Sequence, residues 1–197
     1  QARKKDLLDC LDKDESWVRE ETARALGKMR SKEVVDRLQA LLLDTDERPM
    51  AQVIDTGARG PGGAVPIRVY RPRGAAPAMI VYFHGGGGVL GSITSHDRVC
   101  RVIADDTSCL VASVEYRLGP EHRHPAAIAD ACAAWDALAA RARGRIAVAG
   151  DSFGGFLSAH VDHYTMTSGS RRPDLQVLIY PVTDLTHSAP SVESHAR

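Results

Sequence analysis

The chain has 197 residues, enough for one sizeable core, or for one domain with a small extra piece. Lys+Arg and Asp+Glu both number 25, so the charge balance argues against nucleic acid or an anionic membrane surface as a partner. The hydrophobic fraction of 44% is ordinary for a globular protein, and no apolar run is long enough to span a bilayer. The N-terminus, Gln1 to Asp6, is charged with no apolar stretch behind it, so no signal peptide is read there. Because residue 1 is not Met, a longer parent chain stays open. Cys10, Cys100, Cys109 and Cys132 show no C-x-x-C spacing. They read as reduced thiols of an intracellular, cytoplasmic protein, with disulfides the lesser alternative.

In chain order, residues 6–47 predict two or three short helices. Leu7, Leu8 and Leu11 form one apolar stripe, and Asp12 to Glu15 offers capping residues for the next helix. Trp17, Val18, Ala23, Ala25 and Leu26 mark the core face of that second helix. Val34, Val35, Leu38, Leu41 and Leu42 recur at helical spacing on a third. The string Asp14 to Gly27 resembles a HEAT-like helical repeat, and Leu38 to Asp46 could open a second copy. One repeat cannot bury its apolar face alone, and about three are usually needed. Such a segment must therefore pack on the rest of the chain, on a second copy, or on further repeats.

From Arg48 the composition shifts. Gly57 to Gly63 reads as a turn-rich break, as does Arg71 to Pro77. Between them Ile67, Val69 and Tyr70 read as a strand that could pair with Gln52 to Asp55 as an antiparallel hairpin. Met79 to Phe83 is an apolar strand running into His84-Gly85-Gly86-Gly87-Gly88. A helix is expected over His96 to Asp106 and a buried strand over Cys109 to Val114. A long alanine-rich helix follows from Pro125, proline suiting the first turn, to about Ala142. Residues 145–149 form another strand, Gly155 to Ser168 a helix, and Gln176 to Tyr180 a last strand. Strands alternating with helices predict a parallel sheet covered on both faces.

Two stretches carry chemistry. Gly150-Asp151-Ser152-Phe153-Gly154 is a G-x-S-x-G pattern set between a strand and a helix, the context that turns a common pentapeptide into a candidate nucleophile. The glycines after Phe83 let backbone N–H groups converge on a cavity, as stabilising a developing oxyanion requires. A phosphate-cradling loop is the rival reading, but no Lys-Ser or Lys-Thr follows the glycines.

These two stretches, with Tyr116-Arg117-Leu118-Gly119-Pro120-Glu121-His122 and Tyr180-Pro181-Val182-Thr183-Asp184, resemble the hormone-sensitive-lipase-like family of α/β-hydrolase carboxylesterases. The resemblance covers roughly residues 50–197 and implies an α/β-hydrolase fold, truncated before its last strands. Residues 1–48 form a separate helical segment in this reading, either a HEAT-like repeat or the ordinary cap such esterases place over the site. The resemblance implies that Ser152 attacks an ester carbonyl, with the N–H groups of Gly86, Gly87 and Phe153 forming the oxyanion hole. It implies that His84 and Gly85 position the glycine loop rather than act as base. Asp151 and Glu121 then support the elbow and its neighbouring loop, and Asp184 stands behind the nucleophile. The implied substrate is a small-molecule ester, and no metal or organic cofactor is implied.

The sequence departs from that family's pattern in four places. Gly88 stands where a bulky residue is usual, and Phe153 where a small one is usual. The connection Arg141 to Arg145 is short. The family's acid and histidine lie on later strands, and none of His160, His163, His187 and His195 reads as a credible base. The expectation is a hydrolase core needing a complementing C-terminal chain. A non-catalytic assembly protein is the alternative, with the helical repeat driving homo-oligomerisation and the hydrolase portion as scaffold. A small-molecule receptor built on a dead esterase is a third.

Overall fold

The chain divides at Glu47–Arg48. A computed structural model describes residues 48–185. The expectations for the helical segment, and for His187 and His195, lie outside those residues.

The order is β1 (Gln52–Gly60), β2 (Gly63–Arg71), β3 (Ala78–Phe83), α1 (Asp97–Thr107), β4 (Leu110–Val114), α2 (Ala126–Ala139), β5 (Arg145–Asp151), α3 (Phe153–Ser168) and β6 (Leu175–Ile179). One six-stranded sheet runs β1-β2-β4-β3-β5-β6. The four inner and later strands are mutually parallel, with Val81 set between Ala112 of β4 and Val148 of β5. The sheet is mostly parallel, as expected: β2 is antiparallel to β1, the hairpin read from the sequence, and also to β4. No helix separates β1 from β2, so a tight hairpin joins them, and only strands joined by a crossover can run parallel.

The Gly57 to Gly63 break is narrower than expected. Gly57 to Gly60 continue β1 in register with Pro66 to Gly63, leaving only Pro61 and Gly62 in the turn. Cross-strand bonding outweighs the weak strand propensity of glycine here. The alanine-rich helix ends at Ala139, three residues sooner than the composition suggests, and α3 begins at Phe153 rather than Gly155.

The period-2 alternation of β3 divides the core between the two faces of the sheet. Val81 and Phe83 join Val148, Trp135 of α2, and Leu157 and Val161 of α3. Tyr82, on the opposite face, joins Tyr70, Val111, and Cys100 and Ala104 of α1. Burying each large apolar side chain contributes about 1.5–3 kcal/mol. The buried Trp135 ring satisfies its one polar atom by donating from Nε1 to the Arg171 carbonyl at 2.9 Å. These layers bring the C-terminal ends of β3 and β5 side by side, and both chemistry-bearing stretches start there.

Candidate active site

Ser152 sits between the last residue of β5 and the first of α3, with φ 51° and ψ −115°. A non-glycine residue in that region is strained by about 1–3 kcal/mol and persists only where its surroundings fix it. Three backbone bonds do so. The Ser152 N–H donates to the Ile179 carbonyl at 2.9 Å, and its carbonyl accepts from the N–H groups of Val182 at 3.0 Å and Phe156 at 3.2 Å. The flanking glycines are needed for space. A Cβ at Gly154 would fall on the Phe83 carbonyl, and one at Gly150 on the backbone of Gly154.

Opposite the serine, the loop after β3 turns back on itself. The Gly86 carbonyl accepts from the N–H groups of Val89 at 3.1 Å and Leu90 at 2.9 Å. Gly86, with φ +119°, has no room for a Cβ, which would meet the Leu90 carbonyl. Among the described residues no acceptor is bonded to the N–H of Gly86 or of Gly87.

Asp151 joins the two stretches. Its Oδ1 accepts from the Tyr82 hydroxyl at 2.8 Å and the Gly85 N–H at 2.9 Å, and His96 Nε2 lies 3.7 Å away. Burial pushes its carboxyl up, but contacts with His96, Tyr82 and the Gly85 N–H together hold it below the ordinary aspartate value. It is therefore an anion at neutral pH. His84 is fully buried beside it. Its Nδ1 contacts the Gly85 carbonyl at 2.8 Å, its ring stacks on Tyr116 at 4.4 Å, and the Tyr116 hydroxyl donates to the His84 carbonyl at 2.6 Å. Burial, only partly offset by the Gly85 bond, lowers its pKa and favours the neutral ring. With the Nδ1 proton shared with Gly85, Nε2 is left as a buried acceptor without a partner among the described residues.

Strand, strained serine, helix, and a facing glycine loop form the nucleophile-elbow arrangement. A family model of the alpha/beta hydrolase fold matches residues 80–197. The chain belongs to the α/β-hydrolase fold family.

Esterase LipI of Mycobacterium tuberculosis is 41% identical over 159 residues, 75% of this chain and 49% of that protein. Ethyl acetate hydrolase of Pseudomonas putida is 41% identical over 145 residues, 68% of this chain and 46% of that protein. The solved structure of the Pyrobaculum calidifontis esterase superposes with a TM-score of 0.68 at 41% identity, covering 79% of this chain and 52% of that one. The chain spans about half the length of the curated relatives it matches. A model of HEAT repeats matches residues 3–56.

One acid differs from expectation and two others were not foreseen. Glu121 is exposed and makes no hydrogen bond or ion pair among the described residues. The loop after the glycines is held instead by Glu115, whose Oε2 accepts from the Ile93 N–H at 2.6 Å. Glu115 lies directly beyond β4, within reach of the loop, whereas Glu121 has already passed the next turn into solvent. Asp130, unremarked in the sequence, is 1% exposed in α2. It accepts from the Arg117 backbone N–H at 3.0 Å, Nε at 2.8 Å and the second guanidinium nitrogen at 2.9 Å. A carboxylate near the start of an alanine-rich helix, one of two there with Asp136, was the available signal. Asp184 is half-buried beyond β6, in the segment whose Pro181 packs against Gly155.

Among the described residues no histidine is bonded to the Ser152 hydroxyl. His160 is half-buried on α3 beside the Phe156 ring, with its pKa lowered by burial and by the nearby His163 and His124. No cluster of three metal-binding side chains occurs among the described residues. A cavity of about 370 Å³ has Gly87, Gly88, Phe153 and Phe156 in its lining.

Proposed function

We propose that this protein is a carboxylic ester hydrolase acting through Ser152 on small or medium esters. In this reading Ser152 Oγ attacks the ester carbonyl, forming a new C–O bond. The backbone N–H groups of Gly86, Gly87 and Phe153 receive the oxyanion, their value lying in being fixed before charge develops. The bond to the alcohol oxygen then breaks, and the alcohol leaves carrying the serine proton. Water cleaves the acyl-enzyme by the same route in reverse. Proton transfer requires a base, and the chain order of this fold puts acid and histidine after the serine. The base therefore comes from beyond Leu185 or from a complementing chain. No metal or organic cofactor enters these steps, and a cytoplasmic setting belongs to the same reading.

The observation carrying the proposal is the strained Ser152 at the β5–α3 junction, clasped through Asp151 to a loop with two unbonded N–H groups. The test is p-nitrophenyl butyrate hydrolysis together with fluorophosphonate labelling read by intact mass, for the wild type and Ser152→Ala. Loss of turnover and of the adduct in the variant is expected. Turnover that survives the substitution would sink the reading.

The assembly reading keeps one observation in its favour, the HEAT-repeat match over residues 3–56. Light scattering of the whole chain and of a variant lacking residues 1–47 tests it, with self-association expected only in the former.

A further inference from the structure

The Phe153 side chain has a use separate from its backbone N–H. Its ring lies directly over Gly88, where an added Cβ would stand 2.9 Å from ring Cζ and 3.0 Å from Cε1. Residue 88 also has φ +74°, so both the backbone and the neighbouring ring favour glycine there. The space above this part of the loop therefore belongs to the aromatic ring alone.

That ring is supported from behind. Its centroid is 6.1 Å from Tyr116 and 5.5 Å from Phe156. Tyr116 is the buried residue that stacks on His84 and bonds its carbonyl, so the contacts that fix the glycine loop also fix the ring. The ring lines the cavity of about 370 Å³ together with Gly87, Gly88, Pro120, Ala127, Ile128 and Leu185. Of the two arginines in the lining, Arg117 and Arg123, the first is committed to Asp130 by two guanidinium hydrogen bonds, and Phe153, Phe156, Pro120, Ala127, Ile128 and Leu185 offer apolar contact.

We infer that Phe153 is the specificity-determining residue of this protein: its ring, seated in the space a side chain at residue 88 would fill, limits the size of the apolar ester limb the cavity accepts. The inference rests on the esterase reading. Gly88 contributes no side chain, so trimming Phe153 opens the cavity towards the loop with nothing to refill it. A closed wall favours short limbs, and an opened one favours long limbs. Pockets discriminate by about tenfold or more for each methylene that fits or fails to fit.

The experiment measures kcat/KM for two ester series with the wild type, Phe153→Ala, Phe153→Leu and Phe153→Trp, melting curves being recorded for each. One series varies the acyl limb (p-nitrophenyl acetate, butyrate and octanoate), the other the alcohol limb (ethyl, butyl and hexyl acetate). The long-to-short ratio should rise about tenfold in at least one series for Phe153→Ala, less for Phe153→Leu, and fall for Phe153→Trp. Should Phe153→Ala not melt cooperatively, the opposed shifts of the Leu and Trp variants carry the test. Ratios unchanged to within about twofold in both series, in folded variants of an active enzyme, would overturn the inference and leave the esterase reading intact. A wild type that hydrolyses no ester and takes no fluorophosphonate at Ser152 would overturn both.

Discussion

Two buried carboxylates, Asp151 at the serine turn and Asp130 in α2, are held in different ways. Asp151 has no guanidinium partner among the described residues. It is kept ionised by a tyrosine hydroxyl, a backbone N–H and a nearby histidine, and it ties the serine turn to the loop. Asp130 is closed on a single arginine and ties α2 to the segment that walls the cavity. The first arrangement fixes where backbone N–H groups sit relative to Ser152. The second fixes the shape of the pocket and leaves the reacting atoms alone. Damage to one should therefore appear chiefly in turnover, and damage to the other chiefly in substrate binding and stability.

The sharpest way to break the comparison is Asp151→Ala. It strands the Tyr82 hydroxyl and the Gly85 N–H in a buried site, at about 1–3 kcal/mol each, and frees the loop. Losing one oxyanion donor costs about 10²–10³-fold in kcat, and a comparable loss is expected in p-nitrophenyl butyrate assays. Acid titration sharpens the same point. The native Asp151 pKa lies below its ordinary value, so its contribution is complete above the unfolded value of about 3.8 and is lost as pH falls through the native one. The Asp151→Asn variant should show a shallower decline of melting temperature below about pH 4 than the wild type.

Asp130→Ala comes next. It leaves Arg117 without its carboxylate, at about 3 kcal/mol in urea unfolding, the low end for a broken buried pair because the arginine is part-exposed. KM should rise with kcat nearly unchanged, the reverse of the Asp151 pattern. Gly88→Ala places a side chain against Phe153 and strains a left-handed residue, together about 1–2 kcal/mol. In a Phe153→Ala background only the backbone part should persist, a coupling of about 0.5 kcal/mol or more by double-mutant cycle. The smallest effect belongs to Asp55→Ala. Its pair with Arg68, at 2.6 Å, lies on the exposed hairpin, and its loss should leave the urea unfolding midpoint nearly unchanged.

Much of the site was legible because its rules are local. A sharp strand-to-helix turn demands glycine on either side of Ser152, and a loop that exposes N–H groups demands glycine too, so spacing alone located both. The element order and the β1–β2 hairpin followed from the sequence pattern, with errors only at element ends. The bracing acids were harder. Glu121 stood in the motif, yet Glu115 reaches the loop, because direction at the end of β4 decides which side chain meets it. Asp130 looked like one more polar residue in an alanine-rich helix until α2 packed beside Arg117.

What the sequence determined by itself was the family, the serine, the glycine loop and the alternation of strands and helices. All of these rest on backbone demands felt within a few residues. Gly88 and Phe153 each stood out in the sequence, but as unrelated departures. Only the tertiary structure put the ring of one into the space left by the other, since volume is shared between segments distant in the chain and close packing, not sequence order, decides who fills it.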